Sequence, residues 1–221
     1  MIMNDNFIKY EFERLNAEEL LRNSAAFLEK ISKRRSVRSF SDEDIPEEVI
    51  VNIIKAAATA PSGANKQPWF FYLVRDKEIK RKIREEAECV EQENYSKRFS
   101  PQMKEDLKKI NTDANKPFLE EAPYLIVVCK EKYRLEDGKK KKNYYVNESV
   151  GIALGFLIAA IHFSGLFTVT YTPNPMTFLK HILDMPENIT PIAILPVGYP
   201  KTDTKVNSLP QKNINRILKV L

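Results

Sequence analysis

Apolar and polar residues alternate along this chain with a period that switches several times. Over residues 7–31 the anchors Phe12, Leu15, Leu20, Leu21, Phe27 and Leu28 recur at helical spacing, which predicts one or two amphipathic helices. Asp44-Ile45-Pro46-Glu47-Glu48 reads as a helix start, with an acidic cap, an early proline and two carboxylates against the helix dipole. Val49, Ile50, Ile53, Ile54 and Ala57 then mark a buried stripe, ended by Pro61 and Gly63. Residues 68–74, aromatic and branched, predict a first strand. Charged helices follow over 76–95 and 101–116, then a continuous apolar run at 124–129 that predicts a second strand covered on both faces. Lys139 to Lys142, after Gly138, read as an exposed loop.

The segment 143–164 predicts a long helix, with Gly151 and Gly155 allowing a close neighbour. Its most apolar part, 150–163, is short for a bilayer and contains His162, so a core helix is expected. A third strand over 166–172 is stopped by Pro173, a short helix follows at 177–183, and a fourth strand at 192–197. The tail carries one amphipathic element, 214–221. These elements predict a single α+β domain over 1–221, with helices covering a small mixed sheet.

Composition narrows the chemistry. The 221 residues are 43% hydrophobic, enough for one substantial core and too apolar for a disordered chain. Lys and Arg number 35 against 30 Asp and Glu, and a net charge of +5 suits an anionic small ligand at least as well as nucleic acid. Aromatic and basic residues alternate on no strand, which argues against a nucleic-acid surface. Cys89 and Cys129 are isolated, and no signal sequence precedes them, so a soluble, cytoplasmic protein is expected, with no membrane partner. The two histidines, His162 and His181, exclude a His-rich metal site, and no metal-ligand spacing occurs. Difficult chemistry in such a chain belongs to a cofactor.

Two short segments carry candidate chemistry. Arg34-Arg35-Ser36-Val37-Arg38 packs three guanidinium groups and a hydroxyl into five residues. On residue type alone it reads either as a phosphate site or as a solvated basic loop. Ala60-Pro61-Ser62-Gly63-Ala64-Asn65 places proline and glycine at a helix end, where backbone amides can face a ligand. There is no GxGxxG and no GxxxxGK[ST], so Rossmann and P-loop sites have no support.

In this order, the Arg34–Arg38 segment, Pro61-Ser62-Gly63, Gln67-Pro68-Trp69, the strand Thr168-Val169-Thr170-Tyr171-Thr172-Pro173 and the late Leu195-Pro196-Val197-Gly198-Tyr199-Pro200 resemble the nitroreductase-like flavoproteins from about residue 31 onward. The resemblance implies an intertwined homodimer that binds FMN, with each site built from both subunits and a C-terminal arm, 201–221, around the partner. It assigns Arg34, Arg35, Ser36 and Arg38 to the phosphate and Pro61, Ser62, Gly63, Thr170 and Thr172 to the flavin. Where relatives often carry a late phosphate-binding arginine, this chain has Pro210-Gln211-Lys212, so Lys212 or Gln211 takes that place, without a bidentate fork.

Within that superfamily the chain is most similar to the iodotyrosine deiodinase (halotyrosine dehalogenase) branch. Glu91, Asn94-Tyr95-Ser96-Lys97-Arg98, Lys116 and the lysine run before Tyr144-Tyr145 carry this closer likeness. It implies a lid over 91–116 in which Glu91 takes the substrate ammonium while Lys116 and the Tyr95 hydroxyl take its carboxylate. Losing two such charged contacts would cost roughly 3–6 kcal/mol, about 10²- to 10⁴-fold in affinity. It further implies a phenolate held by the Ala64 backbone N–H and a catalytic Thr172 hydroxyl at flavin N5, favouring single-electron steps. The implied reaction is FMN-dependent reductive dehalogenation of iodo-, bromo- or chlorotyrosine. NAD(P)H or an electron-transfer protein would be the reductant. By themselves Glu91, Tyr95 and Lys116 also read as ordinary surface residues, and Thr172 as a β-branched strand residue. A general nitroreductase or quinone reductase is the alternative, and a non-catalytic flavin-binding protein a third.

Overall fold

The computed structural model describes residues 7–221, so the first residues of the N-terminal stretch lie outside it. The chain divides into two compact units, Met1–Arg34 and Arg35–Leu221. In the first, helix α1 spans Ala17–Ser32 behind an Asn16 cap whose side chain accepts from Glu19 N–H while Glu19 accepts from Asn16 N–H. Residues 7–16 are not helical, so the expected one or two helices reduce to one. No residue of α1 is buried, and its apolar anchors Leu20, Leu21, Phe27 and Leu28 are exposed.

The second unit is built on strands β1 (Trp69–Val74), β2 (Tyr124–Glu131), β5 (Phe167–Thr168) and β6 (Ile189–Gly198), in the order β1-β2-β6-β5 with antiparallel ladders. A parallel bridge between Ser36 and Thr168 ties the arginine-rich segment to this sheet. The burial of β2 explains why its first six residues, 124–129, are apolar throughout. Tyr124, Ile126 and Val128 pack with helix α2 (Glu47–Ala58) and helix α6 (Val146–Phe163). Leu125, Val127 and Cys129 face the opposite layer, with helix α3 (Lys77–Glu93), α5 (Phe118–Glu121) and α7 (Phe178–Ile182). A strand covered on both faces has no polar side to show.

Several elements differ from the sequence expectation. Pro46, not an acidic residue, occupies the α2 cap, and Asp44 pairs instead with Arg75 at 3.2 Å. The helix expected at 101–116 ends at Lys109 (α4, Pro101–Lys109), where Asn111 turns left-handed, leaving Lys116 on a loop. Lys139 to Lys142 form a strand, β4 (Lys139–Lys142), paired with β3 (Tyr133–Glu136). The connecting Asp137 and Gly138 both have positive φ, the geometry of a tight hairpin turn. The third strand is short, and the chain beyond it continues extended through a Tyr171–Ile194 bridge. The tail forms only a 3-10 turn, Ile214–Arg216, because Ile214, Ile217, Leu218, Val220 and Leu221 find nothing to pack on.

Helix α6 is long and apolar enough to cross a membrane by length and composition. Val150, Ala153, Leu157 and Ile161 form its buried stripe on the sheet. Its other face, with Ile152, Phe156 and Phe163, is exposed, so it is a half-buried helix rather than a core one.

Candidate active site

Helix α3 begins at Asp76, whose carboxylate caps Ile79 N–H, and buries Ile83 and Ala87. That register carries Glu91 inward one turn later, leaving it 7% exposed. The helix then loosens into a π-turn, Asn94–Arg98, which carries Tyr95. Asn94 is buried and donates through Nδ2 to the Asn174 carbonyl at 3.1 Å, tying the turn to the segment that follows the Thr168–Pro173 stretch. The Tyr95 hydroxyl donates to the Thr112 carbonyl at 2.9 Å, and its ring meets Phe99 edge-on.

Lys116 is 3% exposed although it lies on a loop. Its backbone N–H donates to Glu88 Oε1 at 2.7 Å, and its ammonium donates to the Asp113 carbonyl. Nζ lies 3.8 Å from Glu91 Oε2, forming a buried ion pair. Burial raises the Glu91 pKa from 4.5, opposed by Lys116 and by a hydrogen bond from Tyr171. Burial lowers that of Lys116, opposed by Glu91 and Asp113 and reinforced by Arg38.

Strand alternation sorts the residues after β5. Val169, Tyr171 and Pro173 are buried, while Thr170 and Thr172 between them are exposed. A cavity of about 260 Å³ lies against this strand, and it unites Arg38, Glu91, Tyr95, Lys116, Thr170 and Thr172. An adjoining cavity of about 490 Å³ is lined by Ser36 and Arg38 together with the 201–207 loop. Arg38 is partly buried, which lowers its pKa, and no carboxylate among the described residues pairs with it. An unpaired, half-desolvated guanidinium beside a serine and exposed threonine hydroxyls fits an anionic flavin mononucleotide.

Arg35 is exposed, and Arg34 is the last residue of the N-terminal unit. Lys212 is exposed on the tail and lines neither cavity. Pro61, Ser62, Gly63 and Ala64 do not line them either. They form a separate turn in which Ser62 Oγ accepts from Gln67 N–H at 2.8 Å and Arg134 donates to the Lys66 carbonyl. Ala64, Asn65 and Gln67 all have positive φ, and a Cβ on Gly63 would sit 2.6 Å from the Tyr145 ring. Such clustered left-handed residues are typical of a ligand-facing turn.

Tyr171 and Glu88 do not stand out in the sequence. Tyr171 lies between two candidate threonines, and Glu88 is one more carboxylate on a charged helix. The period-2 alternation of the threonine strand is the local signal for Tyr171.

The sequence model of the nitroreductase family matches residues 31–199. An iodotyrosine deiodinase from Haliscomenobacter hydrossis is 52% identical over 208 residues, covering 94% of either chain. An iodotyrosine deiodinase 1 from Sus scrofa is 43% identical, covering 96% of this chain and 74% of its own. Among solved structures, an oxidized iodotyrosine deiodinase bound to FMN and 3-iodo-L-tyrosine superposes with a TM-score of 0.77. That match is 35% identical, over 88% of this chain and 100% of the other.

Proposed function

The chain belongs to the nitroreductase family, and on that premise we propose that it is an FMN-dependent oxidoreductase that removes halide reductively from halogenated tyrosines. The observation that carries this reading is the shared cavity. It joins the half-buried Arg38 and the threonines to a buried Glu91–Lys116 pair. An enzyme for uncharged nitroarenes has no use for that pair, whereas a zwitterionic amino acid presents one charge to each member.

Arg35, Ser36 and Arg38 would hold the FMN phosphate, with Thr170 and Thr172 presenting hydroxyls to the ring. When bound and reduced, FMN supplies the two electrons which, with one proton, turn a carbon–halogen bond into carbon–hydrogen and free halide. Glu91 receives the α-ammonium and Lys116 the α-carboxylate, so one buried ion pair is exchanged for two. The Tyr95–Thr112 hydrogen bond holds the π-turn to the loop carrying Lys116, closing the 91–116 segment over the substrate and excluding water.

A second copy of this chain completes the site. The Pro61–Ala64 turn, which does not line the cavity, would come from the partner, and Ala64 N–H would meet the phenolate. Homodimerisation is supported by exposed Ile152 and Phe156 on α6 and by the unpacked apolar tail. Electrons come from NAD(P)H or an electron-transfer protein. The free thiols of Cys89 and Cys129 support a cytoplasmic setting.

Titrating the FMN-loaded protein with 3-iodo-L-tyrosine and with 2-iodophenol tests the reading through flavin fluorescence. Preferential binding of the amino acid is expected. Nitroarene turnover with no halotyrosine binding would favour a general nitroreductase instead.

A further inference from the structure

Tyr171 is one of the inward-facing residues of the threonine strand, and it meets both halves of the Glu91–Lys116 pair. Its backbone exchanges two hydrogen bonds with Ile194, N–H to O at 3.0 Å and O from N–H at 2.8 Å. Its ring rests edge-on against Phe118, 5.7 Å between centroids at 85°. So fixed, the hydroxyl donates to Glu91 Oε1 at 3.2 Å, and the ring face lies 5.7 Å from Lys116 Nζ.

The two oxygens of the Glu91 carboxylate are therefore divided. Oε1 is held by Tyr171 and Oε2 by Lys116. When a substrate carboxylate draws the Lys116 ammonium away, Oε2 is released to an incoming ammonium while Oε1 stays anchored. Burial and the neighbouring Glu91 keep the Tyr171 phenol protonated throughout, so it remains a donor.

Resting on the halotyrosine reading, we propose that Tyr171 is a positioning residue that fixes Glu91 for the substrate α-ammonium, and so sets the preference for amino acids over plain phenols. The preference is enforced through geometry, since a carboxylate free to rotate would lose directional contact with the ammonium.

The test is Tyr171→Phe in the FMN-loaded enzyme, which keeps the ring against Phe118 and removes only the hydroxyl. Its Kd and KM for 3-iodo-L-tyrosine should rise about 10- to 100-fold, the worth of one hydrogen bond to a charged group. kcat should change less than about twofold, as for a contact made equally in ground and transition states. Affinity for 3-(3-iodo-4-hydroxyphenyl)propanoate, which lacks the ammonium, should be unchanged. In a Glu91→Gln background the same substitution should add less than about twofold, because the two residues act as a unit. Equal losses for both ligands, or no loss for either, would overturn the proposal. Wild-type enzyme that binds FMN but neither ligand would overturn the halotyrosine reading and this inference with it.

Discussion

The backbone N–H of Lys116 donates to the carboxylate of Glu88 at 2.7 Å, joining the loop that carries Lys116 to the helix that carries Glu91. Glu88 is held in turn by Arg84 at 2.9 Å, and Arg84 also binds Glu120 at 2.7 Å. The Lys116 loop is thus placed by a carboxylate one turn upstream of Glu91. Glu88→Ala should weaken 3-iodo-L-tyrosine binding roughly 10- to 100-fold by freeing this loop. FMN affinity, measured in the same titration, should be unchanged.

On the halotyrosine reading the buried Glu91–Lys116 pair serves binding, and it should add little to stability over a neutral pair of similar volume. Lys116→Met alone strands a buried carboxylate and should destabilise the protein by about 3–5 kcal/mol. The double variant Glu91→Gln/Lys116→Met removes both charges and should recover most of that loss while abolishing halotyrosine binding. Urea unfolding of the three proteins checks the order; a double variant no more stable than Lys116→Met would refute it.

Halotyrosine affinity should fall in acid at a midpoint above the ordinary carboxylate value. The sign follows from Glu91, whose burial raises its pKa from 4.5, with Lys116 and Tyr171 pulling it back. The ammonium needs the ionised carboxylate, so binding is lost as pH falls through the folded pKa. Folding stability has the opposite sense. A raised carboxylate pKa contributes stability in full below its unfolded value, and this is lost as pH rises through the folded one. Glu91→Gln should bind weakly at every pH and show no acid limb, followed by titration from neutral pH downward.

Gly63→Ala should disturb the left-handed turn. The new methyl would lie 2.6 Å from Tyr145 Cδ2, so the ring must move. Tyr145 is largely exposed, so the cost falls at or below the low end of the about 1–3 kcal/mol typical of core overpacking. A lowered Tm with reduced FMN retention is the expected outcome, and recovery in Gly63→Ala/Tyr145→Ala would identify the clash as its cause.

Phe156→Glu should leave a folded monomer. Phe156 is 44% exposed on α6, so a single chain has little to lose there, whereas a dimer seam would gain buried charge. Light scattering should show the halved mass together with loss of FMN.

Much of this fold is legible in the sequence, and the exceptions have physical causes. β2 and α2 stand out because burial on two faces or on one stripe leaves a continuous or a 3.6-residue pattern. The β3–β4 hairpin does not, because Lys139 to Lys142 carry no apolar residue; the Asp137-Gly138 turn and cross-strand contacts such as Lys141 with Glu136 and Lys140 over the Tyr133 ring make the pairing. The tail's amphipathic pattern is real, yet without a surface in its own chain it forms only a short turn. At the site, the family resemblance points to Glu91, Lys116 and Thr172, and all three line one cavity. Nothing local distinguishes a buried lysine from its solvated neighbours, and Tyr171 and Glu88 reach the pair through contacts across 80 and 28 residues.

Halide release from 3-iodo-L-tyrosine by the FMN-loaded protein, with dithionite supplying electrons anaerobically, tests the central claim most directly. Stoichiometric iodide and tyrosine above the protein-free control are predicted. Bound, reducible FMN with no iodide released would contradict the assignment as a halotyrosine dehalogenase.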